Sequence, residues 1–235
     1  MARVRLTPDL ASVLEFDGVG IRMPRTVRRG GGGRRHRLRR MAGETRRQEV
    51  WRLRDATFAV REGESVAIMG SRGAGREALL RLAAGTLVPD EGSVRRRFPF
   101  VPMIEVANAL SRSLTVRHNI YLVGGLLGMK PAAISSQLED IVAFAGVESM
   151  VDRYLGSAPP VVRQRLAWSI ATSTDARAFA IEQVLVVGER EFRQECWTRM
   201  DRMRADGVTF LIATDSYKQF RRFCDRAIVL GEGTV

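Results

Sequence analysis

Gly70-Ser-Arg-Gly-Ala-Gly-Arg-Glu77 is a glycine-rich stretch between a predicted strand and a predicted helix. The apolar run Ser65-Val-Ala-Ile-Met69 precedes it, and a helical pattern starts at Arg76. Strand, glycine-rich loop and helix together form the setting of a phosphate-binding loop, in which backbone N–H groups surround an anion at a helix N-terminus. The sequence therefore predicts such a loop, with the candidate binding residues Gly70, Ser71, Arg72, Gly73, Ala74, Gly75, Arg76, Glu77 and Ala78.

The end of this loop departs from the usual chemistry. A loop of this type ends in Gly-Lys-Ser/Thr, where the Lys reaches the β- and γ-phosphates and the hydroxyl binds Mg²⁺. Here Arg76 and Glu77 stand at those two positions. An Arg can still pair with phosphate, but a carboxylate beside phosphate is unfavourable by about 1–4 kcal/mol. We therefore expect ATP and Mg²⁺ to bind weakly or not at all, and we assign no metal-ligating residues.

Composition limits the class of protein. The chain has 235 residues, 45% of them hydrophobic, which is enough for a full α/β core. No apolar run approaches the roughly 20 residues that cross a bilayer, and the N-terminus has no apolar signal core. The two cysteines, Cys196 and Cys224, give neither a disulfide framework nor a metal-binding spacing. We expect a protein that is kept in the cytoplasm with both thiols reduced.

The net charge of +12 is unevenly distributed along the chain. Of the 38 basic residues only Lys130 and Lys218 are Lys, and ten Arg lie between Arg25 and Arg47 around a run of four Gly. Because this segment is almost free of apolar residues, we expect a loop insertion over 25–48. It is either a solvated insertion or a binding segment for nucleic acid, acidic headgroups or an acidic glycan. It has no Phe, Trp or Tyr for base stacking, which argues against nucleic acid.

Strand patterns alternate with helical patterns along most of the chain. We predict two short strands within 12–23, separated by a turn at Asp17-Gly18, and a third strand over 49–60. After the loop helix we predict a turn over 89–92 and irregular structure over 93–118. Helical patterns follow at 119–129, 134–144, 161–171, 192–205 and 217–223, and strand patterns at 178–187, 208–213 and 227–230. The alternation predicts an α/β fold with a mostly parallel sheet and an antiparallel β edge.

This order of elements resembles the ATP-binding subunits of ABC transporters, and most of all the subfamily that exports capsular polysaccharide, O-antigen and teichoic acid. Ser113-Leu-Thr115 with Asn119-Ile120 is similar to the exporters' "SLTGRENI", and 223–230 is similar to their final helix and strand. The resemblance implies a P-loop NTPase fold of the ABC ATPase type with a small helical subdomain at about 105–165. It also implies one domain over 1–235, in which 1–24 and 49–64 form the β edge.

The family's signature motif is altered in this chain. The resemblance places that motif, "SSGM" or "SGGQ" in the family, on Pro159-Pro-Val-Val162. Its Ser and Gly N–H groups would hold the γ-phosphate of a partner subunit, but Pro160 has no N–H. The aromatic residue that stacks on adenine falls on Ile21. We therefore expect little affinity from either motif.

The catalytic positions implied by the resemblance are also substituted. The Walker B pair, Asp-Glu in the family, falls on Glu182 and Gln183, and the switch His falls on Asp215. An amide at Gln183 cannot take the proton of an attacking water, and a carboxylate at Asp215 repels a γ-phosphate. Each loss costs up to several powers of ten in rate, and together they leave no useful turnover.

We therefore predict a degenerate ATP-binding subunit of a polysaccharide-export ABC transporter, acting as a structural or regulatory pseudo-ATPase. One alternative is a slow but active ATPase that drives polysaccharide export, with Arg76 in place of Lys and Glu182 holding the metal. The other alternative is a repurposed fold that binds nucleic acid or an acidic glycan through the basic loop. Whether the chain is an enzyme stays open on the sequence alone.

The resemblance also implies partners and a location. The partners are an ABC-2-type polysaccharide-export permease and a second ATP-binding subunit, in a homodimer or in a heterodimer with an active subunit. The location is peripheral, on the cytoplasmic face of the inner (plasma) membrane. By analogy, residues of about 100–130 would form the groove that receives the permease, lined by Phe100, Val101, Ile104 and Leu114.

Overall fold

The structure is a computed structural model, and it describes residues 12–26, 47–71, 75–182 and 190–231. Most of the predicted basic insertion over 25–48 lies outside these ranges. So do Arg72, Gly73 and Ala74 of the glycine-rich loop, and Gln183 of the Walker B pair.

Within the described residues, eight strands form two sheets. The strands are β1 (Ser12–Thr26), β2 (Arg47–Arg61), β3 (Ser65–Gly70), β4 (Glu91–Arg96), β5 (Val101–Pro102), β6 (Ala178–Glu182), β7 (Thr209–Ala213) and β8 (Arg226–Leu230). An antiparallel sheet has the order β2-β1-β4, and a parallel sheet has the order β5-β6-β7-β3-β8. The predicted antiparallel edge is thus a sheet of its own.

Seven α-helices lie in the described part of the chain. They are α1 (Arg76–Ala84), α2 (Met103–Ala109), α3 (Val116–Leu126), α4 (Pro131–Ala145), α5 (Pro160–Thr172), α6 (Arg190–Ala205) and α7 (Tyr217–Phe223). Local signals set several of their ends. The Thr115 hydroxyl caps α3, Pro131 and Pro160 begin α4 and α5, and Gly85 and Gly146 end α1 and α4 in the left-handed conformation.

Apolar clusters cover both faces of the parallel sheet. On β6, Ala178 and Ala180 face the cluster formed with α1 and the antiparallel sheet, while Phe179 and Ile181 face the cluster formed by the helices α2 to α6. This alternation follows from the two-residue period of a strand. A parallel sheet buried on both faces is typical of α/β proteins, and its carboxyl edge is where their ligands bind.

These observations confirm the predicted fold class, but two local predictions were wrong. Asp17-Gly18 is not a turn between two strands: β1 continues through it with a register shift between Phe16 and Val19. A Cβ on Gly92 of β4 would lie 2.4 Å from the carbonyl oxygens of Asp17 and Gly18, so only glycine fits against this irregularity.

Residues 93–118 are not irregular as predicted, since they contain most of β4 and all of β5 and α2. The signals are weak because β4 is an Arg-rich edge strand in which only Val94 is half-buried. The helix α2 has only seven residues and no side-chain cap. No helix among the described residues is long and apolar enough to span a membrane.

Candidate functional site

Three sequence-predicted positions meet at the carboxyl edge of the parallel sheet. Gly70 ends β3, Glu182 ends β6, and Asp215 follows β7 by two residues. Glu182 is the register partner of Ala213, which also pairs with Ile68 of β3. Because parallel strands end at a common edge, the sheet brings these positions together. Their chemical roles stay predictions.

The start of α1 is built around a glycine. Gly75 precedes the helix with φ 94° and ψ 7°, and its carbonyl accepts the first helical hydrogen bond from Leu79 N–H at 2.9 Å. A Cβ on Gly75 would lie 2.3 Å from the carbonyl oxygen of Arg52 and 2.9 Å from Leu53 Cδ2. The antiparallel sheet thus holds the loop closely against the helix start, and only glycine fits there.

This helix start suits an anion. No side chain caps it, so the N–H groups of the first turn have no partner within the helix and carry a positive partial charge. The Nη1 atom of Arg76 is buried and makes no hydrogen bond. Arg76 is the first residue of this helix, and a guanidinium is a group that pairs with phosphate. The residues present therefore fit a phosphate.

The same residues do not fit Mg²⁺. Glu77 stands where the motif needs a hydroxyl ligand, and its carboxylate pairs with Arg81 Nη2 one helical turn along, at 3.0 Å. The Glu77 side chain is 52% exposed. Within 12–26, 47–71, 75–182 and 190–231, no group of three or more His, Cys, Asp and Glu residues could hold a metal ion.

Asp215, the position of the family's switch His, lies in an ordered turn. The buried Thr214 hydroxyl donates to Gln219 Oε1 at 2.7 Å and accepts from Ser216 N–H at 3.0 Å, which fixes the turn before α7. Asp215 is exposed within this turn, whereas Glu182 is half-buried. At these two positions the edge presents two carboxylates, where the resemblance implies one carboxylate and a histidine.

The start of α5, where the resemblance places the signature motif, offers few donors. Pro159 and Pro160 open the helix without a side-chain cap, and Pro160 has no N–H. The N–H of Val162 already bonds to the Pro159 carbonyl at 3.0 Å. Val161 is 37% exposed and places an isopropyl group at the surface of this turn. The consequence for a phosphate at this helix start stays a prediction.

The residue at the adenine position is buried. Ile21 is only 4% exposed and packs into the apolar cluster beneath the antiparallel sheet, opposite Leu53. Its neighbour Arg22 is exposed, and its guanidinium lies 4.4 Å from the centre of the half-buried Trp51 ring. Trp51 is thus a half-buried strand residue that packs against an Arg side chain of the neighbouring strand.

The predicted permease groove needs correction. Phe100 and Val101 are 2% and 8% exposed and belong to the core, so they do not line a surface groove. Val101 lies in the two-residue strand β5, where it pairs with Phe179, and this strand was not predicted. Leu114 is half-buried, and the Ile104 side chain lies outside the described part of the structure.

Sequence reasoning missed three charged side chains that lie next to α1. Arg81 was detectable, because Glu77 and Arg81 have the i, i+4 spacing of a helical ion pair. Glu105, whose carboxylate lies 4.0 Å from Arg81, gave no such signal because α2 was not predicted. Arg96 gave no signal in the sequence either; its guanidinium donates to the Leu82 and Ala83 carbonyls at the end of α1.

The two thiols have no reactive setting. Cys196 is fully buried and Cys224 is partly buried. Burial raises the pKa of both thiols to about 12, so both stay protonated near neutral pH.

Known proteins are similar to this chain in sequence and in fold. AbcA of Aeromonas salmonicida, an ABC transporter protein, is 32% identical over 183 residues, covering 78% of this chain and 59% of that protein. The O-antigen export ATP-binding protein RfbB of Klebsiella pneumoniae is 30% identical over 75% of this chain and 72% of its own length. The teichoic acids export ATP-binding protein TagH of Listeria innocua is 28% identical over 80% and 56%. The chain therefore spans only part of the length of these relatives.

Solved structures agree on the fold. The ATP-binding subunit of an ABC transporter superposes with a TM-score of 0.74 at 20% identity, covering 95% of this chain and 88% of that one. A dimeric ATP-binding cassette bound to ADP and Pi has a TM-score of 0.72 at 18% identity, covering 94% and 96%. The family model for the ABC transporter matches residues 53–172, and the relatives confirm the resemblance to export ATP-binding subunits. This chain belongs to the ABC transporter family.

Proposed function

We propose that this chain is a degenerate ATP-binding subunit of a polysaccharide-export ABC transporter, and that it is a structural or regulatory pseudo-ATPase. The relatives that export O-antigen and teichoic acids support the transport class. The match of fold and family over most of the chain supports a single nucleotide-binding-type domain.

The observation that carries the loss of activity is the start of α5. Hydrolysis in this fold needs donors at that helix start to reach the γ-phosphate. Here Pro160 offers no N–H and the N–H of Val162 is already bonded to Pro159. The exposed carboxylate of Asp215 adds repulsion at the other side of the phosphate. A developing negative charge would thus meet too few donors for useful catalysis.

The proposed partners follow from the family. An ABC-2-type export permease would hold the chain at the cytoplasmic face of the inner membrane as a peripheral subunit. A second ATP-binding subunit, identical or active, would complete the dimer. The dimeric cassette bound to ADP and Pi, which shares the fold, supports pairing of two such domains.

A slow, active ATPase is the second candidate, and one observation favours it. Glu182 ends β6 beside Ala213, at the edge where β3 delivers the phosphate-binding loop. A carboxylate there is within the region where a metal-bound phosphate would lie. The buried, unpaired Arg76 Nη1 atom would serve in place of the usual Lys.

Steady-state ATP hydrolysis by the purified full chain with Mg²⁺ separates the two candidates. The matched control is Glu182→Gln, which keeps the size of the side chain and removes its charge. Our proposal predicts that both proteins release phosphate at the rate of the buffer alone. A rate above buffer that disappears in Glu182→Gln would overturn the proposal and establish the slow ATPase.

A further inference from the structure

The helix α6 is joined to α4 and α5 by long side chains. The backbones of α4 and α5 approach each other closely, whereas the backbone of α6 has little close contact with either. Apolar side chains fill part of this gap, since Phe192, Cys196 and Met200 of α6 belong to the same cluster as α4, α5, β6 and β7. Two arginines also cross the gap, and they do so in opposite directions.

Each of these arginines lies on an aromatic ring of the other side. The guanidinium carbon of Arg165, in α5, is 4.6 Å from the ring centre of Phe192 in α6. The guanidinium carbon of Arg199, in α6, is 3.6 Å from the ring centre of Phe144 in α4. The centres of the two rings are 5.6 Å apart, and the rings are inclined at 59°, a tilted arrangement of the kind that aromatic pairs prefer. These four side chains form a continuous stack, the arginine clamp.

The rings are the main partners of both cations. Within the residues that the structure describes, neither guanidinium forms an ion pair with a carboxylate, and the Nε atom of Arg165 is buried without a hydrogen bond. Arg199 donates from Nη1 to the Thr172 hydroxyl of α5 at 3.1 Å, so this one side chain of α6 contacts both α4 and α5. Burial lowers the pKa of Arg199, but an arginine in a protein stays charged. A cation withdrawn from water therefore lies on an aromatic face, where such a contact contributes most.

We propose that the arginine clamp is a conformational lock, which holds α4 and α5 in one position against α6. Because α6 is packed on β6 and β7, the lock also fixes α4 and α5 relative to the parallel sheet. The three helices then open together and not one by one. The lock goes beyond the proposed function, and it does not depend on whether the chain cleaves ATP.

Native-state hydrogen exchange of the full chain, followed by mass spectrometry of its peptides, tests the lock. The main variant is Arg199→Met, which keeps much of the apolar stem and removes the cation. Its matched control is Arg22→Met, which removes a cation that lies 4.4 Å from the ring centre of Trp51 on the antiparallel sheet. Phe144→Leu, alone and together with Arg199→Met, tests whether the two side chains act through each other.

We expect the amides of α4 and α5 to exchange about five- to thirty-fold faster in Arg199→Met, through the loss of one desolvated cation–π contact. The amides of β3 and β7, in the middle of the parallel sheet, should exchange as before. Arg22→Met should leave the exchange of all three helices unchanged. The acceleration in the double variant should be smaller than the product of the two single effects, because both substitutions remove the same contact.

Thermal melting of every variant checks folding. Arg199→Lys keeps the cation but has no planar group to stack on the ring, so we expect a smaller acceleration, and this variant keeps the test valid if Arg199→Met unfolds.

Three results would overturn the proposal. The first is unchanged exchange of α4 and α5 in both Arg199 variants. The second is equal acceleration in α4, α5, β3 and β7, which would show a general loss of stability. The third is a double variant in which the two single effects multiply. The proposed loss of hydrolysis is tested separately by the release of phosphate, so either proposal can fail while the other stands.

Discussion

The starts of α1 and α5 are the two places where this fold could bind a phosphate group, and they differ in the hydrogen-bond donors that they offer. At α1 a left-handed Gly75 opens the helix and provides no side-chain cap, and the first residue of the helix is Arg76. At α5 two prolines open the helix, and one of the remaining N–H groups is bonded to Pro159. Both are helix N-termini, so the dipole alone does not make a phosphate site.

Binding and turnover therefore have separate structural requirements in this fold. In the proposed arrangement, the start of α1 would supply donors to a nucleotide of the same chain, and the start of α5 to a nucleotide held by a partner. Among the described residues, α1 begins after a left-handed Gly75, whereas α5 begins with Pro160, which has no N–H. This asymmetry favours a chain that does not cleave nucleotide.

Matched substitutions at the two helix starts should give the largest contrast. Gly75→Ala forces a left-handed conformation on alanine and drives Cβ into the Arg52 carbonyl, so we expect a loss of about 2–5 kcal/mol in the free energy of unfolding. Pro160→Ala, at an exposed position, should change it by less than about 1 kcal/mol. Urea denaturation of both variants measures the difference, and equal effects would break the comparison.

The far end of α1 should show an intermediate effect. Arg96 of β4 donates to the Leu82 and Ala83 carbonyls, which ties the antiparallel sheet to the helix that carries the phosphate loop. Arg96→Met leaves these carbonyls without a charged donor, and we expect a loss of about 1–2 kcal/mol.

Arg95→Met is the neighbouring control for that substitution. It removes a surface pair 3.7 Å long and should cost less than about 1 kcal/mol. If chemical denaturation gave the two variants the same stability, Arg96 would not be anchoring α1.

The smallest expected effect concerns Glu64, which lies at the amino edge of the parallel sheet, opposite the edge of the candidate site. It is a loss of folding stability at acid pH. Burial by itself raises the pKa of Glu64, but hydrogen bonds from Arg226 and the Arg61 N–H, with both positive charges, outweigh it and lower the pKa. A carboxyl with a lowered pKa in the folded state adds stability above its unfolded pKa, and this stability is lost as the pH falls through the folded pKa.

Unfolding free energies measured at several values of pH below neutrality test this. The unmodified chain should lose more stability than Glu64→Gln as the pH falls below about 4.5, the ordinary range of a Glu carboxyl. ATP binding at neutral pH should be unchanged in Glu64→Gln, since Glu64 is at the other edge from both helix starts. Parallel pH profiles for the two proteins would contradict the role of Glu64.

Much of the fold could be predicted because the strong signals are local. The glycine loop, the apolar strands and the prolines that begin α4 and α5 mark most boundaries of the parallel layer to within a few residues. The prediction of irregular structure over 93–118 failed because this segment depends on tertiary contacts. The strand β4 is held by pairing with β1, and β5 has only two residues. A bulge such as that at Asp17-Gly18 cannot be told from a turn without the partner strand.

The site was predictable in position but not in contacts. Strand ends place Gly70, Glu182 and Asp215 at one edge, which follows from the order of elements. The ion pair that occupies Glu77 and the bond that occupies the Val162 N–H depend on side-chain and backbone geometry. Phe100 and Val101 were assigned to a surface because the two-residue strand β5, which begins at Val101, was not recognised.

A single-turnover experiment tests the central claim most directly. The purified chain, in excess over γ-labelled ATP and with Mg²⁺, is incubated, and the label is separated into ATP and released phosphate, with bound ATP measured on the same sample. The account predicts that the ATP is recovered intact, with no more phosphate than in the protein-free sample. Conversion of the bound ATP to ADP and phosphate would contradict it.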